Sequence, residues 1–404
     1  MLLKLSYKNI WRNRVRSLVL ITSIALGMWA GVFVMGFYNG IIEQRIDNVI
    51  EKEVSHFQFH VAEYKEDNLV KYYIPDGLEL IEEIRKDEQV SAIAGRLISM
   101  GMIGSARTSS GIKINGIIPE DEALVIHIND NIVEGNYFEE PKRNPILIST
   151  KTAEKLNVKL RSKVVLTFQD LHGNITSGAF RVVGLYKSTN GMYDELNVFV
   201  KQNDLRKLIG SEAEVHEIAV KLKEHEYLTS SLDKYKSEHP DLLIESWMQL
   251  SPGMEYMVDS MDSVLYIILW IIMLALLFGI VNTMLMAVLE RTREIGMLMA
   301  IGMNRLRVFG MVMLETTFIM LIGGPLGIFL AYSTVTYFGH VGIDLGIIGQ
   351  AMEQMGYATV IYPTLESEHY YNVIFQVVIV AIIGSLYPAK KALKLNPIEA
   401  IRKI

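Results

Sequence analysis

The chain has 404 residues, of which 50% are hydrophobic and 21% charged, with a formal net charge of −6. That balance is too apolar for an ordinary soluble protein and too charged for a chain made only of membrane spans, so a few spans plus a sizeable aqueous domain are expected. The absence of cysteine excludes disulfides, thiolate metal sites and cysteine nucleophiles.

In residues 1–16, Leu3, Tyr7 and Ile10 fall on one helical face and Lys4, Lys8 and Arg12 on another. This pattern predicts a short helix lying in the cytoplasmic interface, with Trp11 at headgroup level. No charge occurs between Arg16 and Glu43, and a span needs about 20 residues, so 17–42 is the first span. The run is too long for the apolar part of a cleaved leader, and no A-x-A site follows it.

Residues 43–258 read as a large mixed α+β domain. Strand-like runs recur at His56–Val61, Arg96–Ile103, Gly111–Ile117, Ile146–Ser149, Lys163–Phe168, Phe180–Tyr186, Leu196–Val200 and Glu217–Lys221. Helical patterns fall at Leu78–Lys86, Lys151–Leu156, Asn203–Leu208 and Tyr227–Ser237. No H-E-x-x-H, G-x-S-x-G or carboxylate cluster is visible, and the histidines are scattered singly. The domain therefore reads as a binding and mechanical module without an active site or metal site.

The second span is expected at 259–289, a loop with a short helix at 290–307, and the third span at 308–338, interrupted only by Glu315. A further loop follows at 339–369, then a fourth span at 370–389 and a tail at 390–404. Lys4, Lys8, Arg12, Arg14 and Arg16, then Arg291, Arg293, Arg305 and Arg307, then Lys390, Lys391, Lys394, Arg402 and Lys403 all flank the spans on one side. The loop after the third span carries Asp344, Glu353, Glu366 and Glu368 without Lys or Arg. By the positive-inside rule both termini and 290–307 are cytoplasmic, and 43–258 lies outside.

Two residue sets invite a functional reading. Met254, Met257 and Met261, at i, i+3 and i+7, form one face leading into the second span, and Phe33 and Phe37 lie near the outer end of the first. They suit either a path for an acylated substrate or a plain packing seam. Glu315 is the one charged residue that interrupts the apolar run of a span, read as structural or coupling-related rather than as a proton relay. Gly323-Gly324-Pro325-Leu326-Gly327 suits close helix packing. No G-x-x-x-x-G-K-[ST] occurs, so nucleotide binding by a P-loop in this chain is excluded.

The stretch Glu290–Gly302 reads ERTREIGMLMAIG. With the order span, large domain, three spans, it resembles the FtsX/MacB/LolC–LolE superfamily of ABC-transporter permeases, whose motif is E-[KR]-[TR]-x-E-[IV]-G-x-[LM]-x-A-[ILM]-G. Gly111–Pro119, Gly135-Asn136-Tyr137-Phe138, Pro145–Leu160 and the ending Asn396-Pro397-Ile398-Glu399-Ala400-Ile401-Arg402 resemble it further. One departure is Arg161-Ser162, where relatives often carry Gly-Asp. Length, Ser246-Trp247 and the Gly342–Pro363 loop look most like the LolC/LolE branch.

The resemblance implies a non-enzymatic permease of the bacterial inner membrane, working by mechanotransmission. Its partners would be two separate P-loop ATPase subunits, a second identical or homologous permease, membrane lipid, a lipoprotein substrate and a periplasmic carrier, with no nucleic acid. No cofactor is implied in this chain; ATP and Mg would be bound by the ATPase. Glu290, Arg291, Arg293, Glu294, Ile295, Gly296, Leu298, Met299 and Gly302 would form the ATPase-coupling helix, with Ile295, Leu298 and Met299 as its apolar face. A MacB-like efflux permease and a non-transporting FtsX-like regulator remain as alternatives.

Overall fold

The computed structural model describes the chain apart from residues 1–2, 4–5, 8–10, 13, 140–142, 211–214, 354–355 and 395–404. Lys4, Lys8, Ile10 and the ending at 396–402 thus lie outside the described residues. By its contacts the chain divides into two compact units. One comprises Met1–Ile42, Asp259–Ile343 and Val360–Ile404; the other comprises Glu43–Val258 with Asp344–Thr359.

The first unit is helical. Among the described residues, four helices are long and apolar enough to cross a membrane: Arg14–Val54, Gly253–Glu290, Arg305–Val341 and Ser367–Leu393. Even the 27-residue fourth helix is about 40 Å long at a rise of about 1.5 Å per residue, against a hydrocarbon core of about 30 Å. Small residues set how closely these spans approach. A Cβ on Gly327 would lie 2.8 Å from the Ala25 carbonyl oxygen, and one on Gly323 would lie 3.0 Å from that of Ile21. The third span therefore rests directly on the backbone of the first, as small-xxx-small packing predicts. Nearer the other end, the Trp29 indole donates to Thr334 Oγ1 at 2.9 Å. Leu20, Ile24, Met28, Met273, Ile280, Val312, Val373 and Val377 fill the core between spans.

The second unit is built on a ten-stranded sheet. Its strands are β1 (Phe57–His60), β2 (Val90–Gly104), β3 (Ser109–Ile117), β4 (Ile132–Gly135), β5 (Pro145–Ser149), β6 (Lys163–Gln169), β7 (Ile175–Tyr186), β8 (Asn197–Lys201), β9 (Glu217–Leu222) and β10 (Leu243–Ser246). The order is β10-β1-β9-β2-β3-β8-β5-β7-β4, with β6 pairing β2 and β7. The 15-residue β2 is the hinge of this topology: Val90–Arg96 pairs with β9, and Leu97–Gly104 with β3. Packed helices include Gly77–Ile84, Thr150–Leu156, Gln202–Ile209 and Leu228–Glu238. Ser149 starts one of them by accepting the Thr152 N–H at 3.0 Å, a standard N-cap.

The expected strands and helices all have counterparts in this architecture. Strands β4 and β10 and the helices Ala62–Asp67, Pro119–Val125 and Gly191–Leu196 were not anticipated. Each is four to seven residues long, too short to display a period. The loop expected at 339–369 is not one piece, because Asp344–Thr359 belongs to the α+β unit. There Gly356, at φ 89°, leaves room for the Arg45 guanidinium, whose Cζ lies 2.8 Å from where a Cβ would stand.

Candidate functional site

The second span ends at Glu290 and the third begins at Arg305, with the short helix Thr292–Ala300 between them. The break at its start is held by Thr292, whose hydroxyl donates to the Leu289 carbonyl at 2.6 Å. Its end is set by Gly302 at φ 102°, a conformation that favours glycine. The Met303 N–H returns to the Leu298 carbonyl at 3.0 Å and the Gly302 N–H to that of Met299 at 3.1 Å, a Schellman stop. Asn304 then caps the third span by accepting the Leu306 N–H at 3.2 Å.

Three ion pairs surround this helix. Arg16 pairs with Glu290, Arg12 with Glu294, and Arg291 with Glu315 at 3.3 Å. The last joins the root of the short helix to the third span, and it gives the intramembrane carboxylate a partner. The segment before the first span is engaged as well. Ser6 is buried and donates to the Met311 carbonyl at 3.3 Å, and Tyr7 meets Phe318 edge-on at 6.3 Å. Leu3, Tyr7 and Trp11 are 60%, 53% and 52% exposed.

A nine-residue helix lying against spans must bury one stripe, and here Thr292, Ile295, Gly296 and Met299 supply it at i, i+3, i+4 and i+7. Ile295 is 3% exposed and sits in the core between the spans. The expectation that Ile295, Leu298 and Met299 form an apolar knob for a partner is therefore corrected. Ile295 is inside, Leu298 and Met299 are half-buried, and Arg293 faces outward. The exposed apolar groups are Met297 at 44%, Ile301 at 85% and Leu306 at 72%. The sequence reading missed these three, although Gly302 as a helix stop marks Ile301 as the tip. Beside the helix lies a cavity of about 410 Å³, lined by Met284, Arg291, Glu294, Leu298, Met311 and Glu315 among others.

Phe33 and Met261 pack against the same span core, whereas Met254 and Met257 belong to the α+β unit. Phe33 stacks on Trp29 at 5.6 Å and Phe37 on Phe33 at 6.4 Å, within the helical unit. Met254 is 5% exposed in a core cluster of the α+β unit, and Met257 accepts a hydrogen bond from Tyr357 at 3.2 Å there. Met261 instead packs on the span core. Packing occupies this face.

The α+β unit also brings together buried charges that are scattered in the sequence. The β1–β9–β2 register lines up His60, Glu217 and Arg96. Arg96 bridges Glu122, at 2.7 Å, and Glu217, and Lys113 adds a second cation to Glu217 at 3.3 Å. Burial alone would raise the Glu217 pKa, but Lys113 and Arg96 outweigh it and hold the carboxyl well below its ordinary value. His216 and His56, by contrast, are pushed down to about 4 chiefly by burial and are neutral packing groups.

Two family descriptions match the chain: a MacB-like periplasmic core domain over residues 17–233 and an FtsX-like permease C-terminal region over residues 266–397. These are the two parts of one class of membrane protein, and the chain belongs to it: the FtsX/MacB/LolC family of ABC-transporter permeases. Among individual relatives it is 23% identical to the lipoprotein-releasing system transmembrane protein LolC of Neisseria meningitidis, over 96% of this chain and 94% of that one. It is 26% identical to the uncharacterized ABC transporter permease MJ1507 of Methanocaldococcus jannaschii, over 98% and 96%. Among solved structures, the periplasmic region of MacB from Actinobacillus actinomycetemcomitans is 13% identical with a TM-score of 0.36, covering 52% of this chain and 95% of that one.

Proposed function

We propose that this permease is driven by two copies of a separate P-loop ATPase that dock on the short helix Thr292–Ala300 and its following turn, and that it extracts lipoproteins from the inner membrane. The supporting observation is a rigid helix tied by Arg12–Glu294, Arg16–Glu290 and Arg291–Glu315, which presents Ile301, Leu306 and Met297 outward. Force applied to Ile301 is carried through the buried Ile295 stripe and the Arg291–Glu315 pair into the second and third spans. The basic flanks set this helix on the cytoplasmic side and the α+β unit on the periplasmic side. The near full-length likeness to a lipoprotein-releasing protein supports the choice of cargo. A second permease completes the complex, and ATP and Mg belong to the ATPase.

The test is reconstitution of the permease with its ATPase in liposomes carrying a triacylated lipoprotein. ATP is expected to release lipoprotein to an added soluble carrier. Changing Ile301→Asp together with Leu306→Asp should lower ATPase co-purification and release at least tenfold, with the spans still inserted. ATP turnover without release of any lipoprotein would remove the cargo assignment. Unchanged co-purification of the double variant would remove the docking assignment.

A further inference from the structure

A second cavity, of about 430 Å³, lies within the α+β unit, over the charged face of the sheet. Pockets that hold small ligands begin at about 300 Å³. The register builds its floor: Glu245 on β10 faces Gln58 on β1, and His60 lies two residues along on the same face of β1. Such a diagonal pair has Cα atoms about 7–8 Å apart, within reach of one bound group.

Two acceptors on this floor are unanswered among the described residues. Glu245 is 8% exposed, and its Oε1 pairs with Lys65 while its Oε2 has no hydrogen-bond partner. His60 is 6% exposed, its Nε2 lies 3.3 Å from Glu217 Oε2, and its Nδ1 has no partner. With the Nε2 N–H donating to the Glu217 carboxylate, the neutral ring presents a lone pair at Nδ1. A buried acceptor without a donor has lost its hydration and gained nothing in return. Both sites ask for N–H groups. Around them Val54, Met100 and Leu250 supply apolar wall.

We propose that this cavity binds an aliphatic primary ammonium, which donates to Glu245 Oε2 and His60 Nδ1 and lays its methylenes against Val54, Met100 and Leu250. A primary ammonium has three donors on one atom, enough to serve both acceptors at about 2.9 Å with one left for water. The ligand is either a free alkylamine or a lysine side chain of a protein. The inference stands on the α+β unit alone and does not depend on the lipoprotein assignment.

The experiment is calorimetric titration of the full-length protein in detergent at neutral pH. n-Butylammonium chloride is one probe and a short peptide with a single free lysine is the other. Saturable binding is expected. The N-trimethylated butylammonium and the lysine-acetylated peptide, which lack the three donors, should bind at least tenfold more weakly to the unaltered protein. Glu245→Gln should weaken binding of the parent probe at least tenfold. Binding of butylammonium alone assigns a small amine, and binding of the peptide alone assigns a protein side chain. No saturable binding of either overturns the proposal. So does equal affinity for the trimethylated or acetylated probes, which is a result independent of whether the variant folds.

Discussion

The two units use charge in opposite ways. In the helical unit, three pairs gather around one short helix, and two of them, Arg12–Glu294 and Arg16–Glu290, keep at least one largely exposed side chain. In the α+β unit, Arg96, Glu122 and Glu217 are 4%, 0% and 2% exposed on their side chains. Partly solvated pairs are worth little individually, about 0–1 kcal/mol, so the short helix tolerates the loss of one. A buried cluster is unforgiving, because removing one member strands the others. The contrast implies a tolerant short helix in one unit and an intolerant keystone in the other.

The strongest test of that contrast is Arg96→Met. It leaves Glu122 and Glu217 buried without their shared guanidinium, and a loss of about 3–5 kcal/mol is expected in denaturant unfolding of the α+β unit. Adding Glu122→Gln and Glu217→Gln should restore part of it. An Arg12→Met variant, which touches only the exposed pair, should cost under about 1 kcal/mol. Comparable losses at both arginines would erase the distinction between the units.

Next in size is Ile295→Ala. A side chain 3% exposed in the span core should cost about 2–5 kcal/mol on truncation, read as a lower melting temperature of the permease alone. Ile301→Ala, at 85% exposure, should leave that temperature unchanged and show its effect only with the ATPase present. The reverse pattern would return Ile295 to the docking surface.

A smaller effect sharpens the picture within the α+β unit. Asp194 is raised to about 6, chiefly by burial, although the Ser188 N–H donates to its carboxylate. Between its ordinary 3.8 and about 6, the folded chain holds a proton that the unfolded chain has released. Stability from this group is therefore complete below that window and is lost as pH rises through it. Glu217 runs the other way: its depressed pKa contributes stability at neutral pH that is lost on acidification. Melting curves at a series of pH values should show that Asp194→Asn removes the decline across 3.8 to about 6. An unchanged pH profile in the variant would show that Asp194 does not titrate there.

The smallest expected change is at Arg161. It adopts φ 66°, in the left-handed region that favours glycine. Arg161→Gly should raise stability by up to about 1 kcal/mol, the relief of local strain exceeding the gain in unfolded-chain freedom. A lower melting temperature would mean that the arginine side chain contributes more than its backbone costs.

Much of this protein was legible from its residues in order. Apolar runs of the length a bilayer needs reveal four spans, because hydrophobicity acts on contiguous segments. The period-two runs of the large domain reveal most of its strands, and ERTREIGMLMAIG marks the short helix together with the family.

Which face of the short helix turns inward was not legible, since Ile295 and Ile301 are equally apolar and only packing against the spans separates them. The same holds for the charged floor of the α+β unit. His60 and Glu217 are 157 positions apart, and Arg96 and Glu217 are 121 apart. No local pattern links them; only the order β1–β9–β2 and its register set their side chains on one face. Composition and period determine what crosses a membrane and what alternates in a sheet, because both are local. The burial of Ile295 and the company kept by Glu217 are long-range, and so the tertiary structure alone decided them.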